Sequence, residues 1–320
     1  MMKGLSAGDR ERFHEDGVVC LRGVLSEAEI SGLRSAVDEQ FAQLGTTPSG
    51  YDFEAISRQV WAQKRGVGVG EADRFDFDFV KTRILDDPDA RPLLETSESG
   101  EGRFFYDVAG WRRYPAIYEA AAHSALPGLI ASLWDTAYLN FWEDTTFIKS
   151  PGTRQKTAYH QDLAYFQIEG TMCAVCWIPL DPANLSNGVT KYVRGSHKWR
   201  RTFAPNLVIA QTSTSQATDE KLPDIESAEG DYDILSFDVM PGDVILHDVR
   251  TVHGAGGNVS DRPRRAISFR YCGDDIRYYD RPGAIPQIGL REKHQNGDRL
   301  CGPDYPIVWT DPAHGQREAS

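Results

Sequence analysis

His160-Gln161-Asp162 places an imidazole and a carboxylate two residues apart. Side chains alternate with period two along a β-strand, so both donors would share one face. His253 supplies a second imidazole far downstream, and Arg264 follows it by eleven residues. Two imidazoles and one carboxylate make a facial donor set suited to non-haem Fe(II), with the opposite coordination positions left open. A planar, permanently charged guanidinium beyond the last ligand is suited to the far carboxylate of a 2-oxo acid bound in those positions.

Other residues compete for these roles. His247 follows the apolar run Val244-Ile245-Leu246 and reads as a strand residue in an outer-sphere or structural role. His253 carries Gly254, which lets the backbone pass close to a metal. Cys173-Ala-Val-Cys176 has redox spacing but runs into Trp177-Ile178-Pro179-Leu180 and reads as a buried strand. His197 sits in a Gly-Ser-His turn, and Lys198, Arg200 and Arg201 read as a solvated basic face. Alternation along 264–270 puts Arg264, Ala266, Ser268 and Arg270 on one face and Arg265 on the other. A buried guanidinium needs a partner. For Arg270 the candidates are Asp144, on a strand entering the same core, or an anionic group of the substrate.

The elements that must position these residues fall into three stretches. Gly17 to Leu21 reads as a short strand. Ser26 to Glu29 is a capping box, with Leu25 and Ile30 as its staple, opening an amphipathic helix through Leu44. Residues 45–113 show no sustained period and predict partial helix and long loops. Pro115 to Trp134 is helical in pattern. From Tyr138, β-branched and aromatic runs alternate with Gly, Pro and Asn turns, which predicts an all-β core to about Gly273. Residues 204–233 read as a long polar insertion, and 274–320 as an irregular wrap. Long segments of this kind are often lids, so 45–113 or 204–233 is expected to close over the site. The expectation is one domain over 1–320: helical decoration to 137, then a β-barrel core over 138–273.

The chain of 320 residues carries a net charge of −12, with a pI near 5.2. That balance argues against nucleic acid or an anionic membrane as partner. No apolar run approaches the ~20 residues of a membrane span. The first residues lack a signal-peptide core, and five scattered cysteines fit a reducing cytoplasm. Nothing in the composition speaks to oligomeric state.

Taken in order, His160-Gln161-Asp162, Trp177-Ile178-Pro179-Leu180-Asp181, Asn187-Gly188, Gly195-Ser196-His197-Lys198, Pro241-Gly242-Asp243 and His253-Gly254-Ala255-Gly256, with Arg264, resemble the phytanoyl-CoA dioxygenase family of Fe(II)/2-oxoglutarate oxygenases. The resemblance implies a mainly β fold with flanking helices, a double-stranded β-helix of the jelly-roll, cupin-like kind. It implies His160, Asp162 and His253 as iron ligands, Arg264 as the partner of 2-oxoglutarate, and Trp177 as a lining of the co-substrate pocket. It further implies O2-dependent hydroxylation of a small organic substrate, with release of succinate and CO2. Ala255 stands where some relatives carry a serine, which leaves Thr146 as the hydroxyl expected to compensate. Arg194 stands where proline is usual. Halogenating relatives lack the carboxylate, so Asp162 favours hydroxylation; desaturation and cyclisation use the same centre. The rivals are a non-catalytic cupin-like metal-binding or sensing protein and a zinc-dependent hydrolase or isomerase.

Overall fold

A computed structural model describes residues 5–44, 50–66, 101–207, 210–213, 220–282, 284 and 293–313. The chain enters through helix α1 (Ala7–Asp16), whose N-cap Ser6 accepts from the Asp9 amide. Gly17 ends it at φ +80°, and a Cβ there would lie 2.4 Å from His197 Nδ1 and 2.6 Å from Thr251 Oγ1. The position therefore requires glycine on both conformational and steric grounds. Strand β1 (Val18–Leu21) follows, then α2 (Glu27–Ala42), opened by the Ser26/Glu29 capping box. Its buried face is Ile30, Leu33, Ala36, Val37 and Gln40.

The strands that carry the architecture are β2 (Gly50–Asp52), β3 (Phe104–Val108), β4 (Tyr138–Lys149), β5 (Thr157–His160), β6 (Cys173–Pro179), β7 (Thr190–Val193), β8 (Ile234–Ser236), β9 (Val244–Asp248), β10 (His253–Ala255), β11 (Arg264–Cys272) and β12 (Ile307–Thr310). Helices α3 (Phe53–Lys64), α4 (Pro115–His123) and α5 (Leu126–Ala131) complete the frame. One antiparallel sheet has the order β1-β9-β6-β11-β4-β3-β2, with β12 also paired to β4. The second has the order β8-β7-β10-β5. Among the described residues both are open at their edges, so they form a two-sheet sandwich and not a closed barrel.

Alternation divides the large sheet cleanly. Ala174, Cys176, Ile178, Leu246, Ile267 and Phe269 point to the helix side and share a core with Leu33, Val37 and Ile117. Burial there supplies the main apolar stabilisation, about 1.5–3 kcal/mol for each large side chain. Val175, Trp177, His247, Ser268 and Arg270 point the other way, toward the small sheet. Cys176 is thus plain core.

The helical decoration expected over 1–137 is only partly helical. β1 pairs with β9, β2 with β3, and β3 with β4, while β12 brings the C-terminal stretch into the same sheet. Phe104, Phe105 and Tyr106 are a strand within a stretch whose sequence shows no sustained period. Of the two segments of the lid expectation, residues 45–49, 67–100, 208–209 and 214–219 lie outside the described residues.

Two expectations about β4 are corrected by its register. Arg270 lies opposite Glu143 and Ser268 opposite Thr145. Glu143, Thr145 and Phe147 therefore share the face of Arg270, and Asp144 and Thr146 face the helices. Asp144 accepts from the amides of Gly110 (3.1 Å) and Trp111 (2.8 Å), so it caps a turn and does not pair with Arg270. Thr146 donates to Gln40 Oε1 at 2.8 Å and lies away from any co-substrate. Complete burial pushes the Asp144 carboxyl up to about 7; the charges of Glu143 and Asp107 add to this, and the two amides oppose it.

That raised value gives a pH signature. The native state keeps a proton on Asp144 that the unfolded chain releases near 4, so wild type loses stability as pH rises from about 4 to 7. Asp144→Asn removes this dependence. Between pH 5 and pH 8, urea midpoints should show wild type losing on the order of 2 kcal/mol relative to the variant. Parallel changes in both proteins would contradict the assignment.

Candidate metal centre

The two histidines meet because β5 and β10 are antiparallel neighbours in which His253 lies directly opposite His160. Their ring centroids are 4.3 Å apart. Gly254 allows the approach, since a Cβ there would sit 3.0 Å from Thr157 O and 3.2 Å from the Tyr159 amide. The sequence reading gave Gly254 to a passing metal; the close neighbour is the backbone of β5.

Each ring is oriented by its own strand. His160 Nδ1 lies 2.7 Å from Ala158 O, and His253 Nδ1 lies 2.9 Å from Thr251 O. A carbonyl only accepts, so both Nδ1 atoms carry the proton and both Nε2 lone pairs point into the cleft. Asp162 opens a 3-10 turn (Asp162–Tyr165) just after β5. Its Oδ1 is 3.3 Å from His160 Nε2 and 3.7 Å from His253 Nε2. One donor atom from each of the three residues lies within 4.8 Å of the other two.

The electrostatics suit a cation. Burial raises the Asp162 carboxyl, but the permanent charge of Arg270, the largest opposing influence, outweighs it and holds the group well below the usual carboxylate range. Asp162 is therefore ionised. Burial, then the neighbouring His160, lowers His253 to about 4, which keeps this imidazole neutral and able to ligate.

The lining of the cleft between the sheets includes all three residues together with Trp177, Arg264 and Arg270. Arg264 is buried, and burial lowers its guanidinium to about 10, still cationic at neutral pH. Its Nε reaches Asn187 O at 3.4 Å, and its Cζ lies 5.7 Å from the centre of the Trp177 ring. Arg265 points outward onto Asp181 and Asp38. Arg270 donates from Nη1 to Thr145 Oγ1 at 2.5 Å.

Several cleft residues were not singled out from sequence. Thr157, Thr190 and Ser268 are among its hydroxyl residues, where Thr146 is not. Ser268 lies on the face that alternation from Arg264 gives it. Tyr106 and Phe147 line one wall and meet edge to face at 5.5 Å. Tyr106 lies in a stretch whose period gave no signal. His247 lines the cleft 4.7 Å from His253, ring to ring, and burial holds it well below its ordinary value. His197 lies elsewhere, its Nε2 at 3.0 Å from His14 O, and Lys198 and Arg201 pair with Glu15 and Glu220.

His160→Ala should weaken Co(II) binding by more than about a hundredfold, beyond the range seen for outer-sphere partners. Calorimetric titration reads this directly, and wild-type affinity in the variant would remove His160 from the centre.

The model of the phytanoyl-CoA dioxygenase (PhyH) family matches residues 13–266. A phytanoyl-CoA dioxygenase of Arabidopsis thaliana is 22% identical over 272 residues, covering 82% of this chain and 87% of its own. Among solved structures, the non-haem α-ketoglutarate-dependent carbocyclase SnoK of nogalamycin biosynthesis superposes with a TM-score of 0.63 at 23% identity, covering 96% of this chain and 98% of its own. EctD from S. alaskensis, solved with 2-oxoglutarate and 5-hydroxyectoine, has a TM-score of 0.55 at 19% identity, covering 91% and 82%. These likenesses show the fold, a double-stranded β-helix. No helix among the described residues is long and apolar enough to cross a membrane.

Proposed function

The chain belongs to the phytanoyl-CoA dioxygenase family, and from that premise we propose that it is an Fe(II)- and 2-oxoglutarate-dependent dioxygenase that hydroxylates a small organic substrate. The observation that carries this reading is the convergence of His160 Nε2, His253 Nε2 and an ionised Asp162 in one cleft with the buried cation Arg264.

Iron bound there would supply the centre at which O2 and 2-oxoglutarate react, giving succinate and CO2 and oxygen for a substrate C–H bond. The chain's own part is binding, orientation and exclusion of water. His160 and His253 hold their lone pairs in place through fixed Nδ1–H bonds, so metal entry costs little reorganisation. Asp162 brings negative charge and occupies the position that a halide would need. Arg264 offers a desolvated guanidinium to the distal carboxylate of 2-oxoglutarate, with Trp177 beside it. Thr157, Thr190 and Ser268 offer the hydroxyls that Ala255 lacks. Tyr106 and Phe147 give an apolar wall for an organic substrate.

The non-catalytic binding reading would leave Arg264 buried with a single long hydrogen bond and no anion to meet. Zinc-dependent hydrolysis would use the triad but not Arg264. Oxygen-dependent succinate release separates both from an oxygenase. A product heavier by one oxygen marks hydroxylation, and loss of two hydrogens marks desaturation or cyclisation.

A charge-assisted pair of this kind is worth on the order of 1.5–3 kcal/mol. Arg264→Ala should therefore raise the 2-oxoglutarate concentration needed for half-maximal succinate release by about ten- to a hundredfold. Arg265→Ala loses surface ion pairs and should leave that concentration unchanged. The reverse pattern would reassign the co-substrate arginine.

A further inference from the structure

A row of side chains crosses the large sheet at the level of Asp162. Arg270 lies opposite Val175 on one side, and His247 lies opposite Val175 on the other. All three face the cleft, and the short Val175 leaves Arg270 and His247 free to reach over it. Arg270 Nε stands 3.7 Å from Asp162 Oδ2, and His247 Nε2 stands 3.9 Å from the same oxygen. Asp162 Oδ1, by contrast, is the oxygen turned toward His160 and His253.

Neither approach is a finished hydrogen bond. Among the described residues Arg270 Nε, His247 Nδ1 and His247 Nε2 are all buried without a hydrogen-bond partner. Buried donors left unpaired are costly, and an apolar residue at 247 would avoid that cost. A small rotation of the carboxylate, or one bridging water, would join both donors to Oδ2. Arg270 is otherwise occupied, with Nη1 on Thr145 and its Cζ 5.0 Å from the centre of the Phe166 ring.

We propose that Arg270 and His247 are positioning residues that grip Oδ2 of Asp162, so that Oδ1 alone is presented to the metal. This rests on the reading of His160, Asp162 and His253 as iron ligands. Its consequence is coordination number. A carboxylate bound through both oxygens would fill one of the open positions that 2-oxoglutarate and O2 require. With Oδ2 held, Asp162 is a one-oxygen ligand and those positions stay available. Arg270 then faces two carboxylates, Asp162 and Glu143, which takes it out of contention as the receptor for a substrate anion.

The test uses Co(II) under anaerobic conditions, with affinity read by titration and coordination number by the visible ligand-field spectrum. Arg270→Gln and His247→Leu should each weaken Co(II) binding by about ten- to a hundredfold, as for other outer-sphere partners. The spectrum should shift toward higher coordination number. His247→Gln places an amide donor near the position of Nε2 and should recover most of the affinity and the wild-type spectrum; Arg270→Lys should recover part. Melting of each metal-free variant reports folding, and if Arg270→Gln does not fold, the two His247 variants decide. Asp162→Ala separates the two layers of the argument. Wild-type Co(II) affinity in that variant would sink the ligand assignment itself. Weak binding in Asp162→Ala with unchanged affinity and spectrum in His247→Leu and Arg270→Gln would overturn the positioning proposal alone. Equal losses in His247→Leu and His247→Gln would reduce His247 to packing.

Discussion

The site depends on one register: His253 of β10 set directly across from His160 of β5. Antiparallel partners project their side chains to the same face at close range, so this pairing fixes the separation of the imidazoles before any metal is considered. The Nδ1 bonds to Ala158 O and Thr251 O then fix each ring's rotation and tautomer. Gly254 is needed because the backbones crowd, and Asp162 arrives one short step after β5 ends. A one-residue slip between β5 and β10 would send one imidazole to the opposite face and dissolve the centre.

Charge balance supplies the second constraint. The cleft concentrates imidazoles and two arginines around Asp162, with Glu143 as a second carboxylate beside Arg270. In such surroundings desolvation alone would protonate the acid, yet the Arg270 guanidinium prevails and keeps it ionised. Arg264 and Arg270 are six residues apart on one face of β11, a span of about 20 Å. They leave the strand at well-separated points. Arg270 belongs with Asp162, and Arg264 is the cation left for an incoming anion.

The short-range part of this arrangement was legible in sequence. The alternation of Arg264, Ser268 and Arg270 against Arg265 depends on period two within one strand, and the Ser26/Glu29 box is local by nature; His160 and Asp162 do meet, though Asp162 lies in a 3-10 turn and not on the strand face that alternation gave it. Arg265, read onto the opposite face from Arg264, is found on Asp181 and Asp38. The failures lie where a face depends on the partner strand. β4 carries Glu143, Asp144, Thr145 and Thr146 in succession, all buried. Nothing in that polar run says which alternate pair looks inward; the pairing with β11 decides, through a register shift between Arg270 and Tyr271. Asp144 and Thr146 were therefore placed on the wrong face. β2, β3 and β12 escaped notice because they are short and join a sheet whose other strands lie far away in sequence.

The central claim is that one cleft holds a divalent metal on His160, Asp162 and His253 and a 2-oxo dicarboxylate on Arg264. A crystal structure of the protein loaded without oxygen with Mn(II) and 2-oxoglutarate tests it most directly. The account predicts metal bonded to His160 Nε2, His253 Nε2 and Asp162 Oδ1, with the distal carboxylate of 2-oxoglutarate on the Arg264 guanidinium. Metal bound at other residues, or a dicarboxylate ordered away from Arg264, would contradict it.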